Sequence, residues 1–299
     1  MDVVLWLQIV KKMLYNEVFM NEYNTKIEEL LKECNGYYRP LNSFVMEHTH
    51  DMCKTNALLI KSIEYTNNNS YMVKEEDDVD ATKDSKTENI IVTKNRTIEA
   101  ALKYKDKRVA ILDFANNHSI GGAPWSSGAQ EESICRISTL YSTLKYYKES
   151  FYKYHSDLYH KGIIDSFGND DILYLPKVTI FKTDESTPKL MDEKDWFNVD
   201  VIASAAPQLS YYYDKDRYKK VIYKRIKRIL KIAKRENVDV LILGAFGCGA
   251  FNNPPEIVAN TFKELLNDYH FDLVEFAVYC NDDNPFNNYN LFKNILLNK

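Results

Sequence analysis

Glycine is scarce in this chain, nine residues in 299. The phosphate loops that mark nucleoside triphosphate and dinucleotide redox proteins, G-x-x-x-x-G-K-[ST] and G-x-G-x-x-G, are both missing, and those classes lose support. No window approaches 18 uncharged apolar residues, so no transmembrane helix is expected. The start, MDVVLWLQIVKKML, has an apolar run but an acidic second residue and no small-residue cleavage site. It reads as an amphipathic helix rather than a leader. The five cysteines (Cys34, Cys53, Cys135, Cys248, Cys280) form no CxxC pair. An odd number without a framework indicates free thiols in a reducing compartment, hence an intracellular protein, cytoplasmic or nuclear. Net charge is only −4, which gives no reason to expect a stable nucleic-acid complex. His48 and His50 form a His-x-His with no further ligands at useful spacing, so no metal is expected.

What is present is an alternation of short β-rich runs and helical stretches. Residues 1 to about 65 carry apolar residues at helical spacing, as in KIEELLKEC. Residues 66–89 are polar and acidic and read as a mobile linker or surface loop. From residue 90 the runs IIVT (90–93), RVAILDFA (108–115), ILYLPKVTIF (172–181), VDVIASAA (199–206), VDVLILGA (238–245) and FDLVEFAVYC (271–280) predict strands. Several are apolar on both faces, as strands covered by helices on each side should be. Helices are expected over 97–105, 130–147, 216–236, 255–268 and 286–297. The class is therefore α/β, with a helical extension and linker over 1–89 packed on a domain over 90–299. Pro176 lies inside the third strand run, so that strand must be split, bulged or at an edge.

Six of the nine glycines fall in two loops that follow strands. One is NNHSIGGAPWSSG, with Gly121, Gly122 and Gly128. The other is GAFGCGAFNNPPE, with Gly244, Gly247 and Gly249. In an open α/β sheet ligands bind beyond the carboxyl ends of strands. Glycine lets backbone N–H groups come close to an anion, and a helix start adds partial positive charge. Two such loops facing each other would suit a diphosphate. Behind the first loop stand Gln130, Glu131 and Glu132, at the expected start of a helix. Acids there offset the helix dipole whatever else they do. Neighbours on a helix point about 100° apart, so the pair cannot face each other across a scissile bond as paired glycosidase carboxylates do. One would move a proton and the other would hold a sugar.

The run GGAPWSSGAQEESICR resembles the signature of the microbial-type poly(ADP-ribose) glycohydrolases, a branch of the macrodomain fold: a Gly-Gly-Gly loop, six to eight residues, then Gln-Glu-Glu. The similarity extends through RVAILDFA, ISTLYSTL, LYLPKVTIFK, VDVIASAAPQ and LILGAFGCGAFNNPPEIVANTF, most of residues 90–280. It implies a macrodomain-like three-layer α/β/α fold with a mixed central sheet, behind the N-terminal helical extension. It implies cleavage of ribose–ribose O-glycosidic bonds of poly(ADP-ribose) with ADP-ribose as product. In that reading Glu132 is the catalytic acid/base and Glu131 bonds a ribose. Gln130 braces the loop, and Gly121 and Gly122 face the diphosphate. Gly247, Cys248, Gly249 and Ala250 lend backbone to the second phosphate loop, and Phe251 packs on the distal ribose. No cofactor or metal is implied.

The chain departs from the pattern at several positions. Ala123 replaces the third glycine, Ile120 a frequent proline, Asp113 a common asparagine, and Ser119 stands near another asparagine position. If Ala123 must take φ > 0, the cost is on the order of 1 kcal/mol or more. Other readings of the same residues are an ADP-ribose-binding module with little hydrolysis, or a hydrolase of mono-ADP-ribosyl protein. Partners would be the polymer or an ADP-ribosylated protein, with no membrane and a monomeric chain. KKVIYKRIKRILKIAKR (219–235) reads as an amphipathic helix with a solvated basic face, or more sharply as a contact for the polyanion. Trp125 and Tyr211, Tyr212 and Tyr213 are candidates for adenine stacking or for plain packing.

Overall fold

The computed structural model describes residues 20–36, 38–280 and 287–298. The helical reading of residues 3–19 lies outside them. A first helix, α1, covers 20–33. In chain order there follow α2 (Arg39–Thr55), α3 (Ala57–Asn69), β1 (Tyr71–Val73), β2 (Ile90–Thr93), α4 (Thr97–Leu102) and β3 (Val109–Phe114). Next come α5 (Gln130–Ile137), α6 (Leu140–Leu144), α7 (Tyr154–His160), β4 (Ile172–Ile180) and β5 (Phe197–Ser204). The chain closes with α8 (Lys215–Arg235), β6 (Val240–Leu243), α9 (Pro255–Leu265), β7 (Leu273–Ala277) and α10 (Asn288–Leu297).

The seven strands form one mixed sheet in the order β1-β4-β5-β3-β6-β7-β2. β5, β3, β6, β7 and β2 run parallel, and β4 is antiparallel to both its neighbours. Alternate residues of β3 explain the layering: Ala110 and Leu112 face one core with α8 and α9, and Val109 and Ile111 face the other with α5 and α6. Both faces are covered, which is why the strand runs are apolar throughout. A smaller cluster joins Tyr23, Leu41, Val45 and Leu59 of the N-terminal helices to Phe181 and Leu190, so the helical extension is packed on the body. β4 bulges where expected: its register with β5 shifts between Leu175 and Val178, and Lys177 there takes a φ of 55°. It is not an edge strand, because β1 pairs with its other side.

Residues 66–89 correct the linker reading. α3 continues to Asn69, β1 adds a strand to the sheet, and Val79 and Thr87 are buried. The acids of this strap answer the bases of α8: Lys224 meets Glu75 at 3.1 Å, Lys231 meets Asp78 at 3.3 Å, and Lys234 pairs with Asp84. The basic face of α8 is likewise not all solvated. Arg225 is buried and bonds Asp170 at 2.9 Å, and Arg228 is buried with Nη1 and Nη2 donating to the Asp77 and Lys74 carbonyls at 2.8 and 2.5 Å. Local polarity did not reveal either fact, because the matching charges lie some 150 residues apart in the chain.

Candidate active site

β3 lies between β5 and β6, so the loops leaving β3 and β6 start side by side at the same end of the sheet. A cavity of about 470 Å³ opens there, against Phe114, Ala206, Ala245 and Ala277 just at or beyond the ends of β3, β5, β6 and β7. The start of α5 forms one wall, including Gln130, Glu131 and Glu132. Gly247, Gly249, Ala250 and Phe251 form part of the other. The second glycine loop thus meets, in one cavity, the end of the first, at Ser127, Gly128 and Ala129. Gly121, Gly122, Ala123 and Cys248 do not line it.

Each element of the α5 wall has a local cause. Gln130 is a clamp: its Oε1 accepts from the Phe114 N–H at 2.9 Å, while its Nε2 donates to the Leu112 carbonyl at 2.8 Å and to Thr97 Oγ1 at 3.2 Å. It ties the helix start to the end of β3. Gly121 and Gly122 take φ of 63° and 65°, which suits glycine. A Cβ on Gly121 would lie 2.8 Å from Cys135 Sγ, and one on Gly122 2.9 Å from the Glu132 carboxyl carbon. These glycines let the loop fold down against α5 and the Glu132 side chain. The Ala123 N–H donates to Glu132 Oε1 at 3.2 Å. Ala123 itself is exposed and is not among the positive-φ residues, so the methyl group carries none of the strain allowed for above.

The second wall is held by Asn253, which sequence reading passed over. Its Nδ2 donates to the carbonyls of Pro207 at 2.7 Å and of Gly247 and Phe251 at 3.1 Å each. Gly247 has a φ of 72°, and a Cβ there would lie 2.6 Å from Asn253 Nδ2. An asparagine ahead of Pro254 and Pro255, closing a glycine loop, was the available signal.

Three carboxyl groups meet under the loop. Glu132 is half-buried on the cavity wall. Glu131 is 2% exposed, with Oε2 accepting from the Asn116 N–H at 2.8 Å and Oε1 without a partner among the described residues. Asp113, on β3, is 0% exposed, and neither of its oxygens has a hydrogen-bond partner among the described residues. Burial, and then the charge of Glu132, push Asp113 up to about 8. Burial, with Asp113 and Glu132 beside it, holds Glu131 well above the usual carboxylate range, against the opposing pull of the Asn116 N–H. Both buried acids therefore favour their protonated forms near neutral pH. Acids with strongly shifted pKa at a cavity are where proton chemistry is to be sought.

Other candidates fall elsewhere. Trp125 packs edge-on against Tyr141 at 5.2 Å, and Tyr211 and Tyr212 are exposed. His48 packs at a tilt on Tyr23, 4.3 Å between ring centres, while His50 meets Tyr141, and the described residues hold no group of three or more side chains fit to bind a metal. No described helix is long and apolar enough to cross a membrane.

The chain matches the family model for the catalytic domain of microbial-type PARG over residues 28–183. Among solved structures, the poly(ADP-ribose) glycohydrolase of Thermomonospora curvata bound to the inhibitor ADP-HPD is 26% identical. It covers 84% of this chain and 97% of its own, with a TM-score of 0.72. That of Deinococcus radiodurans in complex with ADP-ribose is also 26% identical, covering 79% of this chain and 96% of its own, at a TM-score of 0.68. No curated relative matches.

Proposed function

The chain belongs to the microbial-type PARG catalytic-domain family, and from that premise we propose that it hydrolyses ribose–ribose O-glycosidic bonds of poly(ADP-ribose), releasing ADP-ribose, with Glu132 as general acid/base. The observation that carries the assignment is the single cavity that receives both Glu132 and the Gly247–Phe251 loop. In this reading the second loop and Phe251 hold the diphosphate and distal ribose, and Glu131 steadies a ribose hydroxyl. The anomeric carbon–oxygen bond breaks as Glu132 gives its proton to the leaving oxygen. Glu132 then takes a proton from the attacking water, whose hydroxyl completes the released ADP-ribose. Proton transfer of this kind contributes roughly 100- to 10,000-fold. The remainder comes from holding sugar and diphosphate in place.

Glu131 and Glu132 are adjacent on α5 and do not form an opposed pair, which leaves one carboxyl group for the proton work. Alanine at position 123 was the main support for a binding module without hydrolysis. Its methyl group is exposed and off the cavity wall, which weakens that reading. We place the protein inside the cell, in cytoplasm or nucleus, on five cysteines that form no disulfide, and as a monomer. The deciding experiment incubates the purified chain with poly(ADP-ribose) and separates the products. Release of ADP-ribose is expected. Tight ADP-ribose binding with no release would make it a binding module.

A further inference from the structure

A second cavity, of about 600 Å³, adjoins the first. The two share Arg96, Gly128, Ser133, Asp184 and Tyr279 as walls. Ser133 on the shared wall is the next residue after Glu132, which itself lines the first cavity. The outer wall comes from the start of α2, at Tyr38, Arg39 and Asn42. Asn42 Nδ2 donates to the Ser126 carbonyl at 3.2 Å, fixing α2 against the loop ahead of α5.

The charge in this cavity is unusual. Arg136 is only 4% exposed, yet it forms no ion pair with any described residue. Its Nη1 donates to the carbonyls of Pro124 at 2.9 Å and Ser127 at 2.6 Å, and its Nη2 to Ser133 Oγ at 3.0 Å. A buried guanidinium outside any ion pair is costly, and burial lowers its pKa to about 10, against the opposing charges of Glu132 and Asp184. Arg39 stands exposed at the rim, with no ion pair among the described residues. Arg96 donates to Ser186 Oγ at 3.2 Å and lies 4.2 Å from the centre of the Tyr279 ring. Two acids share this wall. Asp184 accepts from the Ile98 N–H at 2.9 Å and is raised by burial, which leaves Glu185 as the exposed acid among three arginines. Tyr38 and Tyr279 are both half exposed beside them.

We propose that this second cavity is the subsite for the adjoining ADP-ribose unit, on the leaving side of the scissile bond, whose diphosphate meets Arg39, Arg96 and Arg136 and whose adenine stacks on Tyr38 or Tyr279. This rests on the glycohydrolase reading above. The leaving unit is attached at the oxygen that Glu132 would protonate, so it must continue from the first cavity into a neighbouring space. Arginine forks suit its phosphates, and sequence-tolerant stacking suits its base. The helical extension then supplies one wall of a polymer site, and the enzyme prefers a chain to a single unit.

The test compares polymer and monomer on the same protein. In the Glu132→Gln variant, which leaves the polymer intact, poly(ADP-ribose) is expected to bind about tenfold more tightly per unit than free ADP-ribose, and adding Arg39→Glu should remove that advantage. Calorimetry with ADP-ribose alone should read the same affinity, within about twofold, with and without Arg39→Glu. In the otherwise unaltered enzyme Arg39→Glu should lower kcat/KM on polymer by a similar factor. Equal binding of polymer and monomer, or an advantage that survives both Arg39→Glu and Arg39→Ala, overturns the subsite. Failure of the glycohydrolase reading looks different: the unaltered chain then releases no ADP-ribose, while the polymer-to-monomer binding ratio still decides whether the second cavity holds a further unit.

Discussion

Glu275 on β7 and Asp113 on β3 are carboxylates on strands separated only by β6, and each is 0% exposed. Their surroundings could hardly differ more. Glu275 Oε1 accepts from Lys103 and Thr93 at 2.6 Å each and from Asn95 at 3.3 Å, while Oε2 accepts from Tyr104 at 2.9 Å. Asp113 has no partner among the described residues and sits beneath Glu131 and Glu132. The arginines repeat the contrast. Arg225 is 1% exposed and bonds Asp170 at 2.9 Å, whereas Arg136 donates only to carbonyls and a hydroxyl among the described residues. Buried charge is ordinarily matched because leaving it unmatched costs free energy. Where this fold matches it, the groups hold β7 and α8 in place. Where it does not, Arg136 lines the second cavity and Asp113 lies beneath Glu131 and Glu132, which line the first. Unmatched ionisable groups thus gather around the part of the molecule where the proposed site lies.

Glu275→Ala should show the larger effect on the fold. It strips hydrogen bonds from Thr93, Tyr104 and Lys103, at a cost of about 2–3 kcal/mol, discounted because Lys103 is partly exposed. Urea unfolding measures it, and a loss below about 0.5 kcal/mol would erase the contrast. Asp113→Asn comes next and is a matter of pH. The folded state raises Asp113 from 3.8 to about 8, so the folded protein binds the proton more tightly than the unfolded chain does. Its stabilising contribution is full below 3.8 and is lost as pH rises through about 8. The neutral asparagine does not titrate, so the variant should gain on the natural chain between pH 5 and 8. Unfolding curves whose difference stays constant over that range would show that Asp113 is matched after all. The smallest effect belongs to Ala123→Gly, which changes the active-site loop without touching charge. ADP-ribose affinity and turnover should both stay within about twofold, because Ala123 is neither strained nor on the cavity wall. A tenfold gain would mean that the loop backbone, rather than the charges under it, limits the site.

Much of this molecule is legible along the chain, and the exceptions share a cause. The six long apolar runs became strands, because burial on both faces leaves a local signature. That the loops after β3 and β6 leave the same end of the sheet could be read in advance, but not that Gly121 and Gly122 pack against α5 instead of lining the cavity. β1 was missed, since three residues inside a polar stretch carry too little pattern and are held by pairing with β4. The strap around it reads as a linker until Lys224, Lys231 and Arg228 of α8 stand beside it. Within the site, Gln130, Glu131 and Glu132 stand out by type and spacing. That Asp113 is orphaned, and that Asn253 Nδ2 reaches the Pro207 carbonyl, depends on neighbours brought from far along the chain. Arg136 looks like any helix arginine until its burial beside a cavity is known.

The most direct measurement of the central claim is made on Glu132→Gln with both ADP-ribose and its polymer. The amide keeps the shape of the side chain and can still accept from the Ala123 N–H. ADP-ribose should bind within a few-fold of the unaltered chain, while its release from poly(ADP-ribose) should fall by roughly 100- to 10,000-fold. Turnover at the natural rate in that variant would contradict the account and move the proton chemistry to another residue.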